Sequence, residues 1–143
     1  QTRIETLIQM GDWHQIRKSP REALTYYERA WRHMRTAPGS ASTSMNVPVR
    51  VYYPTPQIAA HVPQVAAVDT RPQSVQVEFT VAADGSVRHA RILNHDTRDR
   101  YARDVLKAVR ESRFRPKFVD GQAVAATGIT HREVFWTASK PRD

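Results

Sequence analysis

Apolar and polar positions change period along this chain, and each change marks an element. Ile4, Leu7 and Ile8 recur at helical spacing and predict a first helix over about residues 4–16. Ser19-Pro20-Arg21-Glu22 carries agreeing start signals for a second helix. Ser19 can cap, Pro20 suits the first helical position where no N–H is needed, and Glu22 can bond back to the cap. Ala23, Leu24, Tyr27, Ala30, Trp31 and Met34 follow as one apolar stripe, and Thr36-Ala37-Pro38-Gly39 ends it. Residues 1–36 thus read as a helical hairpin, followed by a small polar linker at 40–44.

From there the period falls to two. Val47, Val49, Val51 and Tyr53 alternate with Pro48, Arg50 and Tyr52, an edge-strand pattern, since Pro48 cannot donate to a central ladder. Residues 54–72 predict an extended or irregular connection with one helical turn at most. Val75, Val77, Phe79 and Val81 alternate with Gln76, Glu78 and Thr80, a strand with one buried face. Asp84-Gly85 supplies the hairpin turn, because both residues tolerate positive φ, and the strand returns over 87–93. Asp96 or Thr97 opens a helix whose buried stripe is Tyr101, Val105, Ala108 and Val109, with Ala102 and Leu106 beside it. Pro116 ends that helix nearby. A turn at Asp120-Gly121 leads to a last strand over about 126–137. The fold class is α+β. A helical pair (1–36) and a proline-rich connection with an edge strand (37–73) precede a small antiparallel sheet with one helix on a face, in the order β-β-α-β (74–143).

These residues carry two resemblances. Gly11, Ala23, Tyr27 and Ala30 resemble one tetratricopeptide repeat, in which small residues let two helices approach and an aromatic fills the seam; an amphipathic hairpin of another kind fits the same pattern. Val77-Glu78-Phe79-Thr80-Val81, Asp84-Gly85-Ser86-Val87, Ala108-Val109-Arg110, Arg113-Phe114-Arg115-Pro116 and Gly121-Gln122-Ala123-Val124 together resemble the C-terminal domain of the TonB energy-transducer family, over about residues 75–136. Tyr53-Pro54 is similar to the pair that opens that domain. The resemblance implies a non-catalytic module of the bacterial periplasm. It would bind an extended segment of an outer-membrane transporter, or of another envelope protein, as a strand added beside its last strand. The binding strand so implied is Thr127, Gly128, Ile129, Thr130, His131, Arg132, Glu133 and Val134. If Ile129 and Phe135 face the helix, Thr130, Arg132 and Val134 line the other face. Self-pairing through the same edge, giving a homodimer, is the competing outcome. The family's membrane anchor would lie upstream, and a start at Gln1 without a signal-peptide pattern reads as a piece of a longer protein.

Composition adds exclusions. Zero cysteines remove a disulfide scaffold, a cysteine nucleophile and Cys-ligated metal. The longest uncharged stretch, residues 51–68, is broken by Pro54, Pro56 and Pro63, so no membrane span is predicted. The formal charge of +8 divides as +3, +1 and +4 over the three zones, so no segment owns it. Asp96, Asp99, Asp104 and Glu111 interleave the cations around the last helix, which argues against nucleic-acid binding. Phe114 is expected under the sheet, with Arg113 and Arg115 reaching solvent. His14, His33, His89, His95 and His131 form no chelating pair, so no metal is expected. The absence of a nucleophile elbow or phosphate-cradling loop predicts no enzyme activity and no cofactor. Trp13, Trp31 and Trp136 read as core or interdomain packing. Two further classes stay open. One is a periplasmic scaffold that binds partners through tetratricopeptide repeats and dimerises through the sheet domain; the other is an electrostatic binder of anionic polymer or headgroups.

Overall fold

A computed structural model of the chain describes residues 2–36, 45–56 and 71–137. The polar linker expected at 40–44 and most of the proline-broken connection lie outside these residues. Helix α1 (Arg3–Ile16) is capped by Thr2, whose hydroxyl accepts the Glu5 N–H at 3.1 Å. Helix α2 (Pro20–Thr36) returns beside it. The pair closes tightly because Gly11 has no side chain. A Cβ there would stand 2.4 Å from the Tyr27 ring.

Strand β2 (Arg71–Val81) is central, between β3 (Val87–His95) and β7 (Ala126–Thr137), with antiparallel pairing on both sides. Helix α3 (Asp99–Arg110) covers one face. Val75, Val77, Phe79 and Val81 meet Ala102, Val105 and Val109 there, with Phe114 and Phe135 completing the core. Along β2 the alternation that predicted the strand is the alternation of burial.

The expected β-β-α-β order is kept, with three short strands inserted between α3 and β7. These are β4 (Arg113–Arg115), β5 (Lys117–Val119) and β6 (Gln122–Val124). The edge strand expected at 47–53 forms as β1 (Val49–Tyr52), but it pairs with β4 in a separate two-stranded ribbon rather than with the main sheet. Strands β5 and β6 make a hairpin of their own. Its Phe118 leaves the sheet domain to join Leu7, Ala23, Tyr27, Ala30, Met34 and Met45 in a second core. The helical pair therefore docks on the sheet domain through a shared apolar cluster.

The start of α3 and the two arginines of β4 also depart from expectation. Neither Asp96 nor Thr97 caps α3, which starts at Asp99 behind Arg98, with no side-chain cap. Both polar groups are used elsewhere. The Asp96 carboxylate accepts the Ser74 N–H at 2.7 Å and the Thr97 hydroxyl donates to Gln73, so they fasten the loop to β2, a strand that begins four residues before the expected Val75. Arg113 and Arg115 do not reach solvent freely either. The Arg115 guanidinium forks onto Asp12, at 3.1 and 2.9 Å, and Arg113 donates to the Gln15 carboxamide oxygen. With α1 packed against β4, these planar donors meet matching acceptors, a geometry suited to arginine. Burial would weaken the charge on Arg115, but the Asp12 carboxylate more than offsets it and the pKa rises.

Among the tryptophans only Trp31 packs between the two units, with its ring over Gly121. Trp13 and Trp136 are about half exposed, at 49% and 53%, so neither is the core residue expected. Arg17 lies 4.2 Å from the Trp13 ring centroid.

Candidate functional site

Each residue of the binding strand named from sequence lies on β7, an end strand of the β3-β2-β7 sheet. An end strand turns one row of backbone N–H and C=O groups away from its neighbour, and that row is a template for a further strand. Thr127 and Gly128 stand at a bulge, where β7 advances three residues, from Ala126 to Ile129, while β2 spans only Val81 to Phe79. Gly128 has φ +69°, a left-handed conformation that glycine adopts without strain, and a Cβ there would meet nothing within 4 Å. The bulge sets the phase of the rest of the strand. Ile129, His131, Glu133 and Phe135 turn towards α3 and β1, while Thr130, Arg132, Val134 and Trp136 are exposed on the open face. Of the two possible facings of this strand, the structure has the one with Ile129 and Phe135 on the helix side.

The inner face carries a polar network the sequence did not announce. His131 Nε2 lies 2.7 Å from Glu133 Oε1, the Tyr53 hydroxyl donates to the same oxygen at 2.6 Å, and Arg50 Nη1 lies 2.9 Å from His131 Nδ1. Because a guanidinium only donates, Nδ1 must accept, and the neutral tautomer satisfying both neighbours carries its proton on Nε2. Arg50 also stacks 4.2 Å from the Tyr53 ring centroid. Tyr53 and Arg50 therefore clasp β7 from behind. The available signal was the i, i+2 placement of His131 and Glu133, which puts both on one strand face.

The His131 N–H holds the Glu133 carboxyl below its ordinary 4.5, joined by the Tyr53 hydroxyl and the Arg50 charge, although burial opposes them. Burial, with the Glu133 hydrogen bond, raises the Tyr53 hydroxyl well above its ordinary value. A carboxyl depressed on folding contributes stability that is complete above 4.5 and is lost as the pH falls through the lower folded value. Acidification from about pH 5 to pH 3 is therefore expected to destabilise the wild type more than Glu133→Gln. Chemical denaturation at each pH measures the difference, and equal acid sensitivity of the two proteins would contradict it.

Among the described residues no three His, Asp or Glu side chains gather as a metal set, and no helix is long and apolar enough to cross a membrane.

The sequence model of the family described as Gram-negative bacterial TonB protein C-terminal matches residues 60–134, just over half of the chain, and the chain belongs to that family. The family is a non-catalytic module of energy transduction that interacts with outer-membrane transporters in the periplasm. Solved structures that match include the solution NMR structure of the Pseudomonas aeruginosa TonB C-terminal domain. It is 22% identical, covers 67% of this chain and 90% of that one, and has a TM-score of 0.42. TonB2 from Vibrio anguillarum is 21% identical, with 72% and 94% covered and a TM-score of 0.43. No curated protein matches the chain. The family match begins beyond the helical pair, β1 and Tyr53.

Proposed function

We propose that this protein is a non-catalytic periplasmic binding module that takes up an extended segment of an outer-membrane transporter, or of another envelope protein, as a strand beside β7. The observation that carries the reading is the position of β7 at the end of the sheet, in a chain of the TonB C-terminal family. Backbone hydrogen bonds to the outward row would give the affinity, and alternate side chains the selectivity. The helical pair braces β4 and the β5–β6 hairpin rather than β7, leaving the proposed edge clear of it.

Proline substitution tests the edge directly. Along β7 the backbone amides point alternately to β2 and outwards, so Ile129 and Thr130 point theirs in opposite directions. Ile129→Pro and Thr130→Pro, made separately, are expected to split. One loses a rung to β2 and unfolds at lower denaturant. The other keeps its stability and binds transporter-derived peptides about tenfold more weakly, having lost an outward donor. Amide shifts on peptide addition should centre on β7. Shifts confined to the helical pair, or wild-type affinity in the stable variant, would refute strand addition and favour the scaffold reading.

A further inference from the structure

Folding gathers at one end of the helical pair cations that the sequence spreads along it. Antiparallel packing sets the start of α1 beside the end of α2, where two open hollows share Arg29 as a wall. One, of about 310 Å³, is lined by Arg29, Arg32, His33 and Thr36, which stand at helical spacing on one face of α2. The other, of about 420 Å³, is lined by Arg29 with Thr2, Arg3, Thr6 and Leu7. No carboxylate lines either hollow among the described residues. Arg3, Arg29 and Arg32 enter none of the ion pairs formed there, which use Arg91, His95, Arg115 and His131. Asp12 of α1 is committed to Arg115, and Glu5 accepts the Thr2 hydroxyl at 3.2 Å. The Arg29 guanidinium lies 5.8 Å from the Tyr26 ring centroid, a contact that positions the charge without neutralising it.

The helix dipole favours cations in the last turn of α2, and that accounts for His33. It does not account for Arg29, about two turns short of the end, because the effect falls off within the last turn. It opposes Arg3, which opens the first turn of α1, where a cation is disfavoured. Like charges gathered without an acid repel one another, and a bound anion relieves the repulsion. We propose that this end of the helical pair binds a ligand bearing phosphate monoester groups, one in each hollow. A carboxylate offers two oxygens. A phosphate monoester offers three and carries nearly two charges, enough for Arg29, Arg32 and the His33 ring to share one group. Arg29, common to both hollows, would bridge the two groups with its planar fork. A soluble polyphosphate and neighbouring lipid headgroups present the same chemistry. The site lies outside the residues of the family match and is independent of strand addition at β7.

Tripolyphosphate and inorganic phosphate, titrated into the full chain at matched ionic strength while amide shifts are followed, are the first probes. Tripolyphosphate is expected to shift residues 2–7 and 29–36 and to bind about tenfold more tightly than phosphate, which fills one hollow at a time. Arg29→Gln with Arg32→Gln should weaken tripolyphosphate about tenfold. Arg17→Gln with Arg21→Gln removes the same charge from the opposite end of the pair and should leave the affinity within about twofold. Sedimentation with vesicles of phosphatidylcholine containing phosphatidic acid, against phosphatidylcholine alone, separates the sources. Retention by the acidic vesicles, lost with Arg29→Gln and Arg32→Gln, assigns the ligand to headgroups; tripolyphosphate binding without retention assigns it to a soluble polyphosphate. Equal losses in the two double variants would reduce the site to a general positive field and overturn it. Tripolyphosphate binding no tighter than phosphate would overturn the paired hollows, and unmoved amides in both segments with no vesicle retention would overturn the whole proposal.

Discussion

Tyr27→Ala is expected to cost about 3–5 kcal/mol of folding stability, the usual loss for removing a buried aromatic ring. Tyr27 is fully buried, with its ring against Gly11 on one side and edge-on to Phe118 at 6.3 Å on the other. Truncation would open a cavity where α1, α2 and β5 meet, and none of them can close it without moving the others. The hydroxyl adds a separate part. It donates to Asp12 Oδ1 at 2.6 Å, and burial together with that bond raises its pKa well above the ordinary value. Tyr27→Phe keeps the ring and should lose about 1.5–3 kcal/mol, the range for a hydrogen bond to a charged group, near its lower end because Asp12 retains Arg115. Urea unfolding of both variants measures the two parts. A loss below about 1 kcal/mol in Tyr27→Ala would show that the helical pair does not share a core with the sheet domain.

Gly85→Ala should lose about 2–4 kcal/mol, far more than an exposed hairpin turn normally would. The position has φ +87°, left-handed territory in which a Cβ is strained. The added methyl would also stand 2.2 Å from the Phe114 carbonyl oxygen and 2.5 Å from Gln15 Nε2. The turn cannot back away, because the Gly85 carbonyl accepts the Phe114 N–H at 2.9 Å and the Asp84 carbonyl accepts the Gln15 side chain at 3.1 Å. The β2–β3 turn, β4 and α1 converge on one glycine. Guanidinium unfolding is the check, and a loss near 1 kcal/mol would mean that φ alone is at stake and the three elements are not in contact.

These two residues also show what the sequence could convey. Asp84-Gly85 was legible as a turn, because turn chemistry is local: two residues that tolerate positive φ between alternating runs. Its second role was not, since the Gln15 and Phe114 that pin it are remote in the chain. Gln15 did leave a trace, as a polar residue in the apolar stripe of Ile4, Ile8 and Gly11, a position that needs a partner when buried. Asp12 and Arg115 left none, because a charged residue on a helix looks solvated until its partner is placed against it. The same division holds at β7. Alternation separated Ile129 and Phe135 from Arg132 and Val134 without saying which face turns inward, and the clasp of Tyr53 and Arg50 on His131 and Glu133 joins segments about eighty residues apart. The cap of α3 was misplaced for a related reason. Asp96 and Thr97 are good capping residues, and β2 claimed them first.

The register between β2 and β7 has a mechanical meaning. Their Cα partners run from Arg71 opposite Thr137 to Val81 opposite Ala126, so the longest antiparallel seam among the described residues joins the edge strand to the strand at the centre of the sheet. Tension applied along β7 would load those rungs side by side, in shear, so that no single bond bears it. Tension applied across β7 would open them one after another from an end, like a zipper. A segment held alongside β7 and drawn along its own axis would therefore find the domain at its most resistant, and the same segment lifted sideways would find it easiest to peel.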